Sequence, residues 1–410
     1  MDFVEKKAKD LYKSNSGLSK SADQFGFGYP FLSYSDIFHN FFVPDVLTTL
    51  VNSSEKDRSN CSIKRGDVFL TRTSETTDEL GMSCVALRDV PNGTFNGFAK
   101  RLRPIDDEIV PEYAAYFFRS PYFRAQCMSM ASLITRASLN DGMIGRLKIQ
   151  YPKSTDVQRR IGQTLMNYDN LIEVNNKRIK VLEQMAENLY KEWFVRFRFP
   201  GHENAEFENG LPKGWELKTV DNYFKISIGK TPPRKEFDWF TSNDSESVNW
   251  VSISDMKSIV ILDTKEQLTQ SAIKRFNMII VPENTILLSF KLTVGRVSLT
   301  TCKCATNEAI AHFLNVPKIC REYLFLYLKE YDYSRLGNTS AIGNAVNSKI
   351  VKSMKFIMPD KEILKLFSNK IKPLIDSIIN LTLLNNNLIK QRNLLLPHLM
   401  SGNLEVSNVR

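Results

Sequence analysis

Apolar residues in two stretches of this chain recur in alternating steps of four and three. From Asp156 to about Phe194 they fall at Ile161, Leu165, Tyr168, Ile172, Ile179, Leu182, Ala186, Leu189 and Trp193, with Asn175 filling a polar position in the seam. Near the C-terminus, Phe367, Ile371, Leu374, Ile378, Leu381, Leu388, Leu395 and Leu399 repeat the alternation, and Asn385 and Arg392 take the polar seam positions. The spacing predicts two long helices with a coiled-coil seam, the first reaching on the order of 60 Å. Pro373 predicts a kink or a break near Lys372, because proline lacks the N–H that the helix needs. Both patterns outrun a typical globular helix of about 11–12 residues, which favours a rigid antiparallel spacer over two unrelated amphipathic helices.

Each helix is preceded by about 150 residues of mixed pattern. Short β-type runs (Asp67–Arg72, Met278–Val281, Thr285–Phe290) alternate with helical stretches (Pro111–Phe123, Arg321–Tyr331). Turn signals are frequent: Pro91-Asn92-Gly93, Asn96-Gly97, Asn140-Asp141-Gly142 and Pro232-Pro233. This predicts an α+β domain, twice. The two halves also match in order. Asn140, Lys148 and Pro152 recur as Asn347, Lys355 and Pro359. Leu32-Ser33-Tyr34-Ser35-Asp36 answers to Val251-Ser252-Ile253-Ser254-Asp255, Asp67–Thr71 to Thr285–Ser289, and Glu112-Tyr113 to Glu322-Tyr323. A collinear internal repeat predicts two similar surfaces related by an approximate twofold, which suits a bipartite target such as DNA.

At 410 residues the chain predicts two or more domains. No apolar run approaches the roughly 20 residues of a membrane span, and the first residues form no apolar signal core, so a cytoplasmic protein is expected. The six cysteines make no zinc-type pairs and are expected to be reduced and mostly buried, with Cys302 and Cys304 alternating on one strand from Ser298 to Ala305. The four histidines have no metal-site spacing. Lysine plus arginine outnumber aspartate plus glutamate by 55 to 45. That surplus attracts phosphate backbones, but gains weight only with the duplicated architecture.

Three passages carry a resemblance to the DNA-specificity subunits of type I restriction–modification systems. Asn175–Ile179 continuing through Leu182–Phe194 resembles the family's central helix. Leu211-Pro212-Lys213-Gly214-Trp215-Glu216, continuing to Ile228-Gly229-Lys230-Thr231-Pro232-Pro233-Arg234, is similar to the start of a target-recognition domain. Leu394–Gly402 resembles the C-terminal helix ending. The resemblance covers essentially the whole chain. The first half lacks the Leu-Pro-x-Gly-Trp opening and has Gly17-Leu18-Ser19-Lys20 where the second has Gly229-Lys230-Thr231-Pro232, so its first strand is expected to be shortened or supplied differently.

The resemblance implies target-recognition domains over 1–153 and, after a linker, within 198–359, with spacer helices over 154–197 and 360–403 and a tail over 404–410. It implies that each domain reads one part of a split DNA sequence while the helices set the gap. The helices would also dock two modification subunits, which methylate adenine with S-adenosylmethionine, and through them the ATP- and magnesium-dependent restriction subunits. The chain itself would then be non-catalytic and hold no cofactor or metal.

Loop-borne cationic and amide side chains are the candidates for DNA contact. They are Lys230, Arg234, Lys235, Lys291, Arg296, Asn338, Ser340 and Asn344 in the second half, and Lys13, Lys20, Arg72, Arg136, Ser138 and Asn140 in the first. Gly229-Lys230-Thr231 superficially matches a phosphate-binding loop, but Phe224 stands where that motif needs glycine. Thr231-Pro232-Pro233-Arg234 differs from the methyltransferase dipeptide in lacking an amide or carboxyl before the prolines and an aromatic after them. An enzyme acting alone and a coiled-coil scaffold without a DNA role are therefore the less favoured readings.

Overall fold

The computed structural model describes residues 2–76, 79–130, 132–133, 137–235, 239–241, 246–336 and 347–405. It divides into two compact units, residues 1–173 with 386–410 and residues 174–385. The same plan builds both.

In unit 1 an opening strand β1 (Phe3–Lys7) pairs antiparallel with β8 (Lys148–Pro152). The central sheet has the order β2 (Tyr12–Ser16), β7 (Ala99–Pro104), β4 (Val68–Thr71), β5 (Ser83–Val85), all antiparallel. Beside it β3 (Phe25–Leu32) runs parallel to β6 (Thr94–Phe95). Helices α1 (Pro111–Phe117) and α2 (Pro121–Met130) cover the sheet, and α3 (Asp141–Arg146) leads into β8.

Unit 2 repeats this order. Strand β9 (Glu216–Thr219) pairs antiparallel with β17 (Lys355–Met358). The central sheet runs β10 (Lys225–Ile228), β16 (Ile310–Leu314), β13 (Ile286–Ser289), β14 (Val297–Thr300), β12 (Val260–Ile261). Strand β11 (Val248–Val251) runs parallel to β15 (Cys304–Thr306). Helix α5 (Lys318–Glu330) packs on this core, and α6 (Ser348–Lys352) precedes β17.

The sequence matches are reproduced atom by atom. Ser33 with Asp36 and Ser252 with Asp255 each form a capping box, in which side chain and backbone satisfy each other's orphan groups. Asn140 caps α3 and Asn347 caps α6. Tyr113 donates its hydroxyl to the Gln150 carbonyl at 2.9 Å, as Tyr323 does to Ile357 at 2.7 Å.

Two long helices complete the units: α4 (Thr155–Tyr190), prolonged by a π-helical turn over Lys191–Val195, and α7 (Lys361–Met400). Within unit 2 they run antiparallel. The Trp193 and Phe367 rings lie 5.6 Å apart, and further along the pair Asn175 Nδ2 donates to Asn385 Oδ1 at 2.8 Å. Asn385 in turn donates to Asn176 at 2.9 Å. Within unit 1, Arg392 pairs with Asp169 and stacks on Phe41, while Ile161, Leu165, Leu396 and Leu399 share one core. The polar seam positions thus satisfy one another or a charged partner, as buried polar groups must.

Five expectations need correction. Of the kink or break expected at Pro373, the break does not occur: helix α7 is continuous there, because Phe367, Ile371, Ile375 and Ile378 are buried on both sides of it and outweigh one missing hydrogen bond. Strand β1 is present at five residues, beside four in β9, so the first strand is not shortened. Cys302 and Cys304 are not on one strand: residues 301–303 turn the chain from β14 in one sheet to β15 in another. The Met278–Val281 run contributes only a bridge from Val281 to Cys304, since the Met278 N–H is taken by the carbonyl of Ile273. The Pro111–Phe123 stretch is two helices, α1 and α2, not one. All six cysteines are free thiols, five of them buried.

Candidate nucleic-acid interface

Strand register gathers three loops at one end of each central sheet. In unit 2, Ile228 closing β10 faces Ala311, Ser289 closing β13 faces Ile310, and Val297 opening β14 faces Leu288. Residues 229–235, 290–296 and 307–309 therefore leave the sheet together. In unit 1, Ser16 faces Lys100, Thr71 faces Ala99 and Ser83 faces Leu70. Residues 17–20, 72–76 with 79–82, and 96–98 occupy the matching positions.

A pair of backbone clasps fixes each end. A Cβ on Gly17 would collide with the carbonyl of Asn96, and one on Gly229 with the carbonyl of Asn307, so only glycine permits the approach. Beyond each glycine the next N–H closes the clasp: Leu18 donates to Phe95 at 2.8 Å, Lys230 to Thr306 at 2.9 Å. Each asparagine side chain accepts from the N–H two residues on, Asn96 from Phe98 at 2.8 Å and Asn307 from Ala309 at 3.1 Å.

The candidate side chains divide by what they already hold. Lys20 pairs with Asp57 at 3.0 Å. Lys230 Nζ donates to the carbonyls of Phe276 and Asn277, each at 3.1 Å. Arg234 makes a bidentate pair with Glu266, 2.8 Å on each arm, and stacks over Phe240 and Trp250. Its guanidinium holds the Glu266 carboxyl below the usual range. Arg296 gives one guanidinium N–H to the Ile253 carbonyl at 2.9 Å. Asn140 accepts from the Met143 N–H at 2.9 Å.

The side chains of Lys13, Lys235 and Lys291 are exposed and make no hydrogen bond or ion pair among the described residues, the Lys291 ammonium lying 5.8 Å from the Phe290 ring centroid. Lys13 lies on β2, three residues back from its loop end, opposite Arg103. Arg72 follows β4 directly. Its N–H donates to the Phe98 carbonyl at 3.1 Å and its own carbonyl accepts from Leu139 at 2.8 Å. Its Nε is buried without a partner. Beside it, the nearly buried Lys100 ammonium bonds Asp141 and Ser16, both at 2.8 Å. That ammonium, with a smaller contribution from Arg72, holds the Asp141 carboxyl low. Ser138 pairs in register with Thr73, next to Arg72. Arg136, Asn338, Ser340 and Asn344 lie outside the described residues.

Sequence reasoning missed several residues here. Glu308 accepts from the Thr231 hydroxyl. Burial opposes ionisation of Glu308, yet Thr231, a backbone N–H and Lys291 together hold its carboxyl below the ordinary range. Phe98 is 55% exposed at the unit 1 sheet end and Leu292 is 95% exposed at that of unit 2. A tight Lys-Leu-Thr-Val-Gly turn between two apolar strands was the available signal for Leu292. Its backbone is left-handed, at φ 60°, which costs a leucine roughly 1–2 kcal/mol.

Among the described residues no group of acidic, histidine and cysteine side chains could hold a metal, and no helix is long and apolar enough to cross a membrane. The sequence model of the type I restriction modification DNA specificity domain matches residues 1–184 and again 212–391. Over 424 aligned residues, the chain is 26% identical to the type I restriction enzyme MjaIX specificity subunit of Methanocaldococcus jannaschii, covering all of this chain and 95% of that protein. It is 21% identical to the HindI specificity subunit of Haemophilus influenzae, over 91% of this chain and 94% of the other. The crystal structure of a type I S subunit from M. genitalium has the same fold, with TM-score 0.58 at 11% identity over 97% of this chain and 96% of that one. Matched in both halves and along its whole length, the chain belongs to the type I restriction–modification DNA specificity family.

Proposed function

We propose that the loops at each sheet end read DNA, those of unit 1 one part of a split sequence and those of unit 2 the other. The observation that carries this reading is the duplicated clasp at Gly17–Asn96 and Gly229–Asn307, which holds matching loops on matching frames. Among the candidates, Lys13, Arg72, Lys235 and Lys291 have side chains that make no hydrogen bond or ion pair among the described residues and are the cations offered to DNA, Arg72 half-buried. Lys20 and Arg234 are paired with carboxylates, and Lys230 and Arg296 donate to backbone carbonyls, so these four brace the loops.

The long helices keep the unspecified gap constant and dock two methyltransferase subunits, which recruit the restriction subunits. Support comes from the helix pair of unit 2, where Val174 and Val181 are more than half exposed and, with Lys177, Arg178, Asn380 and Leu381, line a groove of about 620 Å³. Methyl transfer from S-adenosylmethionine and ATP-driven cleavage belong to those partners, and this chain supplies selection and placement. Sequencing of methylated adenines in cells carrying the chain with its modification partner tests the reading. The expected motif has two defined parts separated by a fixed unspecified gap, and Arg72→Ala relaxes or weakens one part only. A single continuous motif would overturn the reading.

A further inference from the structure

The hairpin between β13 and β14 carries Leu292 at its tip, exposed and in the left-handed backbone region that leucine avoids. The turn around it is braced. Ser289 Oγ donates to the Thr293 carbonyl at 2.5 Å and accepts from the Arg296 N–H at 3.0 Å. The Gly295 N–H closes on the Ser289 carbonyl at 2.9 Å. Gly295, at φ 90°, lies flat against the Tyr333 ring, where a Cβ would come within 2.8 Å. Arg296 anchors the far side to Ile253. A braced turn thus holds a large apolar side chain in water beside the exposed side chain of Lys291. Strain kept at a braced, exposed tip points to a contact made outside the chain.

We propose that Leu292 is a specificity-determining residue of unit 2, making an apolar contact with the 5-methyl group of a thymine in the major groove while Lys291 meets a neighbouring phosphate. The proposal rests on the reading of the sheet-end loops as DNA readers. Thymine is the base whose major-groove edge offers a methyl group, so an aliphatic tip fits it without a hydrogen-bonding partner. Leucine has no hydrogen-bonding group, so the selectivity expected of Leu292 is for the one base pair whose methyl it touches.

The test uses the full chain in complex with its methyltransferase partner and a pool of duplex oligonucleotides randomised over both half-sites. Leu292→Gly suits the left-handed backbone and is expected to hold or raise the melting temperature. It should lose roughly five- to tenfold in affinity, confined to duplexes with thymine at one position of one half-site. Replacing that thymine by deoxyuridine, which lacks only the methyl, should reproduce the loss on the unchanged protein, and Leu292→Ala should behave like Leu292→Gly. Equal affinity of variant and unchanged protein for every duplex would overturn the proposal while leaving the reading of the loops intact. So would a uniform loss that deoxyuridine does not reproduce, which marks a wedge between bases and not a methyl contact. Absence of any sequence preference in the unchanged complex would overturn both.

Discussion

At the scale of single residues, one buried side chain ties the sheet end of unit 2 to pH. His312 on β16 is fully buried, with Ser227 Oγ 3.0 Å from Nδ1 and Thr306 Oγ1 2.6 Å from Nε2. Burial disfavours the imidazolium and lowers its pKa from 6.5 to about 4. The unfolded chain takes up a proton below about 6.5, whereas the folded chain resists until about 4. The contribution is therefore complete above pH 6.5 and is lost as pH falls toward 4, by roughly 3 kcal/mol in all. Urea midpoints measured between pH 7 and pH 4 should fall more steeply for the natural chain than for His312→Gln. Parallel curves would show that the imidazole is charged or solvated in the fold.

At the scale of elements, the helix seams were legible because their signal is periodic and local. Asn175 and Asn385 were visible as polar interruptions, but that they meet each other was not, since a pairing across 210 positions depends on how the helices align. Replacing Asn385 alone by leucine strands a buried Asn175 amide and should cost roughly 1–3 kcal/mol. The double variant Asn175→Leu with Asn385→Leu should recover most of that loss, because neither amide is then left buried without its partner. A double-mutant cycle by chemical denaturation reads the coupling, and additive losses would argue against the pairing. The errors share one cause. Pro373, the Met278–Val281 run and Cys302 were judged by local propensity, and in each case tertiary packing or a change of sheet decided the outcome. The sheet-end site was half legible. Its glycines and cations stood out in sequence, whereas Lys230 and Arg234 proved to be engaged internally, through a backbone carbonyl pair and a carboxylate that lie far away in the chain.

At the scale of the whole molecule, a net charge of +10 favours attraction to DNA in general, and on the reading proposed above the cations at the loop ends would give it direction. Each phosphate contact releases condensed counterion and contributes about 0.9 to the slope of log affinity against log salt. Lys291→Gln in the assembled complex should lower that slope by about that amount and weaken binding to all duplexes alike. A slope unchanged across a salt series would place Lys291 away from the backbone. This response differs in kind from that of its neighbour Leu292, for which the loss should fall on one base pair. On that proposal, adjacent residues on one hairpin would separate positioning from selection.

The clasp of glycine on asparagine carbonyl has a consequence for how such a protein can change. The loops that begin at Gly17 and Gly229 leave the scaffold through a backbone clasp, so the strands lose little when outward side chains that make no internal contact are exchanged. Their identity can drift with small cost to folding, and a lineage can acquire a new vocabulary of target words while its grammar stays fixed.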